Sequence, residues 1–333
     1  MKYADKVHLP FMMSLLLALF FIHGCSLFKV NLFPNASEPL KEFVLQGKAE
    51  EKIVVITIKG TISDYTPLNL MYSKPSVLQE TVSQLKLAEK DPDVKAVILK
   101  IDSPGGSVTA SDMLYNEILA FKERTGIVVV SVMMDVAASG GYYVALPSDS
   151  IIAHPTTLTG SVGVIFMRPK FVGLMDKLGL RVDVSKSGKN KDMGSPFRHT
   201  SAEEEKMFQE IINNLAARFT SLVQKHRKID YAVMSEISTG KVMLADEALQ
   251  YKMIDKIGYI NDAVAEAKNI SGISPKARLV VYRRTEYAND NLYNNATNEY
   301  EQKGSQLLNL GMFEPMISMP PGFYYIWMPA VSE

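Results

Sequence analysis

Two kinds of hydrophobic pattern alternate in the first half of the chain. Residues 52–60, 94–101 and 127–133 are short, nearly continuous apolar runs rich in β-branched side chains, which is typical of buried parallel strands. Residues 76–90 and 107–124 instead carry apolar side chains at helical spacing. Strands that alternate with helices imply right-handed crossovers, so the pattern predicts an α/β fold with a mostly parallel sheet and helices outside it.

The second half of the chain is less regular. Residues 181–185 alternate like a further strand. Ser201 and Glu204 have the spacing of a capping box, and the apolar stripe that follows them predicts a long helix to about His226.

Changes in composition divide the chain into four parts. Residues 1–25 have a basic head and an apolar run of secretory length, which indicates an export segment outside the fold. Residues 26–50 carry prolines and scattered charges without a sustained period and are predicted to be a linker. The α/β domain is expected over residues 51–270. Residues 271–333 are predicted to be a C-terminal extension, partly mobile and apolar at its end.

Cys25 is the only cysteine of the chain and directly follows the apolar run. A small residue followed by cysteine at this place resembles the bacterial lipoprotein cleavage site, where the cysteine is lipidated and becomes the new N-terminus. An uncleaved signal-anchor helix is the alternative. Both interpretations place the rest of the chain in the bacterial cell envelope, outside the cytoplasm and tethered to a membrane. A single cysteine also excludes an internal disulfide framework.

The overall composition excludes some functions. The chain has 36 basic and 36 acidic residues, so no surplus of positive charge points to nucleic acid. No cysteine–histidine spacing suggests a zinc site, and no metal or other cofactor is predicted.

Residues 133–143, at the end of the third predicted strand, carry the strongest chemical signal. Ser139 lies there between small residues and two glycines, before a helix-compatible segment. A hydroxyl at a strand-to-helix turn lies near unpaired backbone N–H groups that can hold a developing oxyanion. Ser139 is therefore a candidate nucleophile, and the alternative is that it serves only as a helix N-cap.

A Pro-Gly-Gly turn at residues 104–106 follows the second predicted strand. Paired glycines let the backbone approach a ligand closely. Because parallel strands share their carboxyl edge, this turn is expected at the same edge as Ser139, where open α/β sheets bind ligands. It can offer further oxyanion donors, although Pro-Gly-Gly also occurs in ordinary tight turns.

A nucleophilic serine needs a base that takes its proton. His154 is the histidine close to Ser139 in the sequence, but a lone histidine after an apolar stretch is more often structural. Lys186, Lys189 and Lys191 crowd one polar loop and offer the other route. A lysine acts as a base near neutral pH only if burial lowers its pKa by about three units. The residues alone leave this choice open.

Four motifs occur in a fixed order along the predicted domain. They read DSPGG from residue 102, AASGGYY from residue 137, TGSVGV from residue 159 and SGKNKD from residue 187, with Ser-Pro at 195–196. This set resembles the membrane-associated signal peptide peptidases of the serine–lysine type, the signal peptide peptidase A family, in its short single-repeat form. The match covers about residues 53–268.

The resemblance implies a crotonase/Clp-protease-like core of repeated ββα and βα units. It implies a peptidase that cleaves residual signal peptides and other extended apolar peptides at the membrane, without ATP or metal. It also implies that the active unit is a homo-oligomer, often ring-like, in which neighbouring subunits of some members share a site. By resemblance, Ser139 is the nucleophile, Lys191 the general base and Ser161 the residue that orients this lysine. The implied oxyanion donors are Gly105, Gly106 and Gly140.

Three alternatives to this function remain open. A crotonase-like acyl-thioester enzyme would use the same oxyanion hole without a covalent serine. A serine protease could use His154 as its base, and a non-catalytic membrane scaffold would only bind peptides. The apolar end of the chain, residues 313–327, is expected to complete the core or a subunit interface, or else to reach a peptide groove.

Overall fold

The computed structural model describes residues 38–65, 75–297 and 319–329. In this part of the chain, strands form two sheets. Their bounds are β1 (Lys41–Gln46), β2 (Lys52–Lys59), β3 (Val94–Ser103), β4 (Gly105–Ser107), β5 (Val128–Ala138), β6 (Ser150–Ala153), β7 (Leu158–Gly160), β8 (Ile165–Met167), β9 (Val242–Leu244), β10 (Lys256–Ile257), β11 (Arg278–Arg283) and β12 (Gly322–Ile326).

Helices connect most of these strands, and several of them bury apolar side chains against the larger sheet. The longest is α5, which begins at the predicted capping box and runs to Arg227. The helices are α1 (Val77–Lys90), α2 (Val108–Thr125), α3 (Gly140–Ala145), α4 (Val172–Leu178), α5 (Ala202–Arg227), α6 (Tyr231–Ile237), α7 (Ala245–Gln250) and α8 (Ile260–Ser271).

The larger sheet has the strand order β1-β11-β2-β3-β5-β6-β10. All pairs from β11 to β10 are parallel, and only β1 lies antiparallel at its edge. β7 pairs with the carboxyl end of β5 and has β9 as its antiparallel neighbour. The smaller sheet, β4-β12-β8, is antiparallel. The predicted α/β fold with a mostly parallel sheet is therefore confirmed.

Apolar side chains cover both faces of the parallel sheet. Val54 and Ile56 of β2 belong to the cluster that includes α1, α2 and α3. Ile53 and Val55 belong to a second cluster, which includes α8. Because successive side chains of a strand point to opposite faces, a sheet covered on both sides requires continuous apolar runs. The runs seen in the sequence thus follow from this layered arrangement, which holds the turns at the sheet edge in place.

Three segments differ from the expectation. Lys41–Gln46, inside the predicted linker, forms β1 because it pairs with β11 of the C-terminal extension. β5 continues past Met133 to Ala138, because β7 pairs with Val136–Ala138. The strand predicted at residues 181–185 is wrong: these residues are exposed, and no described strand lies beside them to accept their hydrogen bonds.

The predicted export segment, residues 1–25, lies outside the described residues, and so does Cys25. Within the described ranges, every helix is too short or too polar to cross a membrane. The lipid anchor and the signal-anchor helix therefore both stay predictions.

Candidate active site

Ser139 lies at the sharp turn between β5 and α3. Its backbone has φ 52° and ψ −115°, and non-glycine residues rarely adopt a positive φ. Ser139 occupies the N-cap position of α3, but its side chain makes no capping hydrogen bond, so the alternative that the hydroxyl serves to cap the helix is wrong. The hydroxyl is 0% exposed and has no hydrogen-bond partner among the described residues. Backbone strain that holds a buried, unpaired hydroxyl costs stability, and such strain is concentrated at functional sites.

The Pro-Gly-Gly turn meets the turn of Ser139 at the edge of the sheet. Gly105 has φ 105°, and a side-chain carbon there would lie 2.7 Å from the Gly140 nitrogen, so only glycine fits. The Gly105 N–H donates to Ser103 Oγ at 3.1 Å. This predicted oxyanion donor is therefore already bonded within its own turn. The amides of Gly106 and Gly140 are the remaining donors, and Gly140 opens α3, where backbone N–H groups have no intrahelical acceptor.

Ser161 follows β7 as Ser139 follows β5. The preceding residues, Ala138 and Gly160, are paired across these strands, and the Ser139 N–H donates to the Gly160 carbonyl at 2.8 Å. Ser161 also has φ 52° and is buried. The structure thus brings Ser161 next to the turn of Ser139, and its predicted contact with a lysine stays a prediction.

His154 lies far from Ser139 along the direction of the strands. It follows β6, where Ala153 pairs with Met133 of β5, whereas Ser139 lies just past the end of β5, several residues beyond Met133. At the usual rise of a strand, this places the two side chains on the order of 15 Å apart. The His154 ring packs edge-on against Tyr259 instead. The structure therefore does not support His154 as the base for Ser139.

The three loop lysines lie at the surface, and two of them have acidic partners. Lys186 donates to Asp192 at 2.5 Å, and Lys189 pairs with Glu203. Lys191 is exposed, and its side chain makes no hydrogen bond or ion pair with any described residue. The Ser139 hydroxyl is buried without a partner, so the two proposed catalytic groups of one chain are not in contact.

Charged side chains fix the loop of Lys191 to the start of α5. Arg198 donates to the Asp192 carboxylate at 2.9 and 3.0 Å and to Glu204 at 3.0 Å. Glu204 and Ser201 form the predicted capping box, which is confirmed. These bonds order the loop while they leave the Lys191 side chain unpaired.

We expect this network to make the stability of the protein depend on acidic pH. Hydrogen bonds from Arg198 lower the pKa of Glu204 from its ordinary value of 4.5 to about 2. Arg198 and Lys186 also lower the pKa of Asp192. A carboxyl group whose pKa is lower in the folded state contributes stability that is complete above pH 4.5 and is lost as the pH falls towards 2.

Urea unfolding at several pH values in this window measures the effect. The free energy of unfolding should fall with decreasing pH less steeply in Glu204→Gln than in the unmodified protein. Glu203→Gln removes an exposed carboxylate of the same helix turn and should keep the full slope. Equal slopes in all three proteins would contradict the expectation.

Sequence reasoning missed an aromatic pocket below the turn of Ser139. Tyr143 of α3 and Phe219 of α5 are buried, with ring centroids 4.8 Å apart. The Tyr143 hydroxyl donates to Asp112 at 2.5 Å, and Arg218 donates to the same carboxylate oxygen. Tyr143 lies in the second motif, so the sequence did mark it as a candidate site residue. Phe219 looks in the sequence like any other apolar residue on the buried face of its helix. Their contact depends on two distant helices, so no local pattern predicts it.

The arrangement is that of a serine acyl-transfer enzyme, because a buried hydroxyl lies beside backbone amides at the carboxyl edge of a parallel sheet. In the part of the chain that the structure describes, no group of three or more His, Cys, Asp or Glu side chains could hold a metal ion.

Comparisons with known proteins define the class further. The family model of peptidase family S49 matches residues 122–274, and that of the Clp proteases matches residues 70–157. An Enterococcus faecium protein named signal peptide peptidase SppA is 34% identical over 238 residues, which cover 72% of this chain and 69% of that protein. The chain therefore belongs to the S49 family of signal peptide peptidases, and the predicted family and fold are confirmed.

Longer relatives match over only part of their length. Protease 4 of Haemophilus influenzae is 32% identical over 245 residues, which cover 73% of this chain and 39% of that protein. ClpP1 of Listeria monocytogenes, a solved structure, has a TM-score of 0.42 and 18% identity and covers 63% of this chain and 94% of its own. The S49 family membership makes this chain a serine peptidase.

Proposed function

We propose that the protein is a membrane-tethered serine endopeptidase in which Ser139 and Lys191 form a Ser–Lys dyad. The observation that carries this proposal is the buried, unpaired Ser139 hydroxyl, on a strained turn beside the amides of Gly106 and Gly140. A serine on such a turn is presented to a carbonyl group that enters between these amides. The proposed substrates are residual signal peptides and other extended apolar peptides, in keeping with the family.

Cleavage at this site proceeds through an acyl-enzyme. The neutral Lys191 amine takes the proton of Ser139 Oγ, which forms a bond to the peptide carbonyl carbon. The amides of Gly106 and Gly140 hold the developing oxyanion, and each such donor lowers the barrier by about 3 kcal/mol. The lysine then gives its proton to the leaving amine as the C–N bond breaks. Water, activated by the same lysine, hydrolyses the ester and frees Ser139.

The base comes from a second copy of the chain. Lys191 is exposed and unpaired while Ser139 is buried, so one chain alone presents an incomplete site. Helix α4, next to the Lys191 loop, has no buried residue and leaves an apolar surface exposed. This surface is suited to contact with a second copy of the chain. On entering the cleft of that neighbour, the lysine loses its hydration, as a neutral base requires. The exposed apolar residues of this surface are Phe171, Leu174, Leu178, Leu180, Val182 and Val184.

The same proposal places the enzyme in the bacterial cell envelope. A lipid on Cys25 tethers it to the membrane, with the signal-anchor helix as the alternative, and the peptidase domain lies outside the cytoplasm. There it meets signal peptides that remain in the membrane. Ser161, next to the turn of Ser139, orients the incoming lysine by a hydrogen bond.

Labelling with a serine-reactive phosphonate tests the nucleophile directly. We expect the reagent to add one phosphonyl group at Ser139, mapped by mass spectrometry of proteolytic fragments. Ser139→Ala should stay unlabelled, and Ser187→Ala, at an exposed loop position, should be labelled like the unmodified protein. A protein that stays unlabelled, or is labelled elsewhere, would favour a peptide-binding scaffold or a thioester enzyme that does not use Ser139.

A further inference from the structure

Strand β12 lies between the two strands that flank the turn of Ser139. It pairs antiparallel with β4, where Tyr325 is opposite Gly106, and antiparallel with β8, where Phe323 is opposite Phe166. β4 carries Gly106, one of the two proposed oxyanion donors, and β8 begins four residues after Ser161. Extended peptides bind to proteins by adding a strand in this way. A segment of the chain itself therefore occupies the position of a bound peptide.

The register of β12 directs the Tyr325 carbonyl group towards the Gly106 amide. The Trp327 N–H donates to the Pro104 carbonyl at 2.9 Å. In an antiparallel ladder, hydrogen-bonded pairs recur at every second residue. Tyr325 and Gly106 are two residues from that pair and are thus hydrogen-bonded to each other, with the Gly106 N–H as donor to the Tyr325 oxygen.

The same carbonyl oxygen is close to the other side of the site. A side-chain carbon added at Gly105 would lie 2.0 Å from the Tyr325 oxygen, and one added at Gly140 would lie 3.0 Å from it. Gly140 directly follows Ser139 in the chain. The peptide bond between Tyr325 and Ile326 therefore lies beside the proposed nucleophile, with its carbonyl group among the proposed oxyanion donors.

The Tyr325 side chain fills the aromatic pocket. It is 0% exposed, and its ring stacks on Tyr143 with 5.1 Å between centroids and packs at a tilt against Phe219 with 4.8 Å between centroids. Its hydroxyl donates to the Leu215 carbonyl at 2.8 Å. Burial raises the pKa of Tyr325, so the phenol keeps the proton that this hydrogen bond uses. The pocket thus matches a tyrosine in shape, in its apolar walls and in its one polar contact.

We propose that this pocket is the specificity pocket of the peptidase, and that it selects peptides with tyrosine on the acyl side of the cleaved bond. β12 is then a built-in ligand that shows how such a peptide lies and that competes with it for the cleft. This inference rests on the proposed function. Phenylalanine would keep the ring contacts but lose the hydrogen bond to Leu215, and smaller side chains would leave the pocket partly empty.

A peptide series on the full-length protein tests the selectivity. Peptides that differ only at the residue before the cleaved bond should be cleaved with kcat/KM highest for tyrosine, about fivefold lower for phenylalanine and about a hundredfold lower for alanine. Phe219→Leu keeps an apolar wall but removes the ring. In this variant, the ratio of kcat/KM for the tyrosine peptide to that for a leucine peptide should be smaller than in the unmodified protein. Equal cleavage of the alanine and tyrosine peptides would overturn the proposal.

Tyr325→Ala tests whether β12 competes with the substrate. It withdraws the side chain from the pocket and should lower KM for the tyrosine peptide at least tenfold while kcat stays the same, because a tethered competitor affects binding alone. Tyr324→Ala is the matched control, since the Tyr324 hydroxyl bonds to Pro320 of its own segment and not to the pocket. If the KM of Tyr325→Ala equals that of the unmodified protein, the proposal that β12 competes with the substrate is wrong.

The readouts separate this inference from the function on which it rests. If Ser139 takes the phosphonate and peptides are cleaved without preference at the tested residue, only the specificity pocket is wrong. If Ser139 takes no label and no peptide is cleaved, the peptidase mechanism itself fails. The peptide series needs no variant, so it remains decisive even if Tyr325→Ala does not fold.

Discussion

Ser139→Ala is expected to abolish peptide cleavage, with kcat/KM lower by about 10⁴-fold or more, as in other serine peptidases that lose their nucleophile. The measurement is cleavage of a fluorogenic peptide by the purified full-length protein. The residual rate reflects only the backbone amides of the site, which still bind the carbonyl group but have no hydroxyl to add to it.

This loss should occur without unfolding. The Ser139 hydroxyl has no hydrogen-bond partner among the described residues, so alanine leaves no buried group unpaired. The free energy of unfolding of Ser139→Ala should therefore equal that of the unmodified protein or slightly exceed it. Ser187→Ala, at an exposed loop position, is the matched control and should keep full activity. Substantial cleavage by a folded Ser139→Ala protein would remove the serine mechanism.

Lys191→Ala is expected to cause a comparable loss, and a mixture of two inactive variants should recover activity. Ser139→Ala chains keep Lys191, and Lys191→Ala chains keep Ser139. If the dyad forms between neighbouring chains, random assembly of equal amounts gives intact pairs at about one quarter of the sites. Activity should thus rise from near zero to about a quarter of the unmodified level after the mixed chains are dissociated and reassembled.

The mixing experiment has a defined negative outcome. A dyad formed within one chain leaves every site of the mixture with one group missing, so no activity would return. Lys189→Ala is the control, because Lys189 lies in the same loop but is paired with Glu203. The Lys189→Ala protein should cleave the peptide at the unmodified level without being mixed with another variant. A large loss of activity in Lys189→Ala would show that Lys189 is needed for cleavage and would contradict the assignment of Lys191 as the base.

Much of the fold follows from local signals in the sequence. The runs that form β2, β3 and β5 are recognisable because a sheet covered on both faces needs apolar side chains on both sides of each strand. The capping box is recognisable because Ser201 and Glu204 satisfy each other's backbone N–H groups within one turn. By contrast, β1 carried no such signal, since its place at the edge of the sheet depends on β11, which is far along the chain.

The site divides in the same way. The hydroxyl and the glycines were predictable from their motifs, because a nucleophile and oxyanion donors need specific residue types at tight turns. The Pro-Gly-Gly motif predicted the N–H groups of Gly105 and Gly106 equally well as oxyanion donors. Only the folded turn distinguishes them, since the Gly105 N–H bonds to Ser103 while the geometry directs the Gly106 N–H into the cleft.

By itself, the sequence determined the α/β alternation, the S49 family and the turn that presents Ser139, because apolar periodicity, glycine turns and short motifs act over a few neighbouring residues. Only the tertiary structure decided that β12 lies between β4 and β8, that Tyr143 and Phe219 form a pocket, and that Lys191 stands at the surface away from Ser139. These features depend on contacts between segments that are far apart in the chain, and no local pattern encodes which distant segment a strand or a ring will meet.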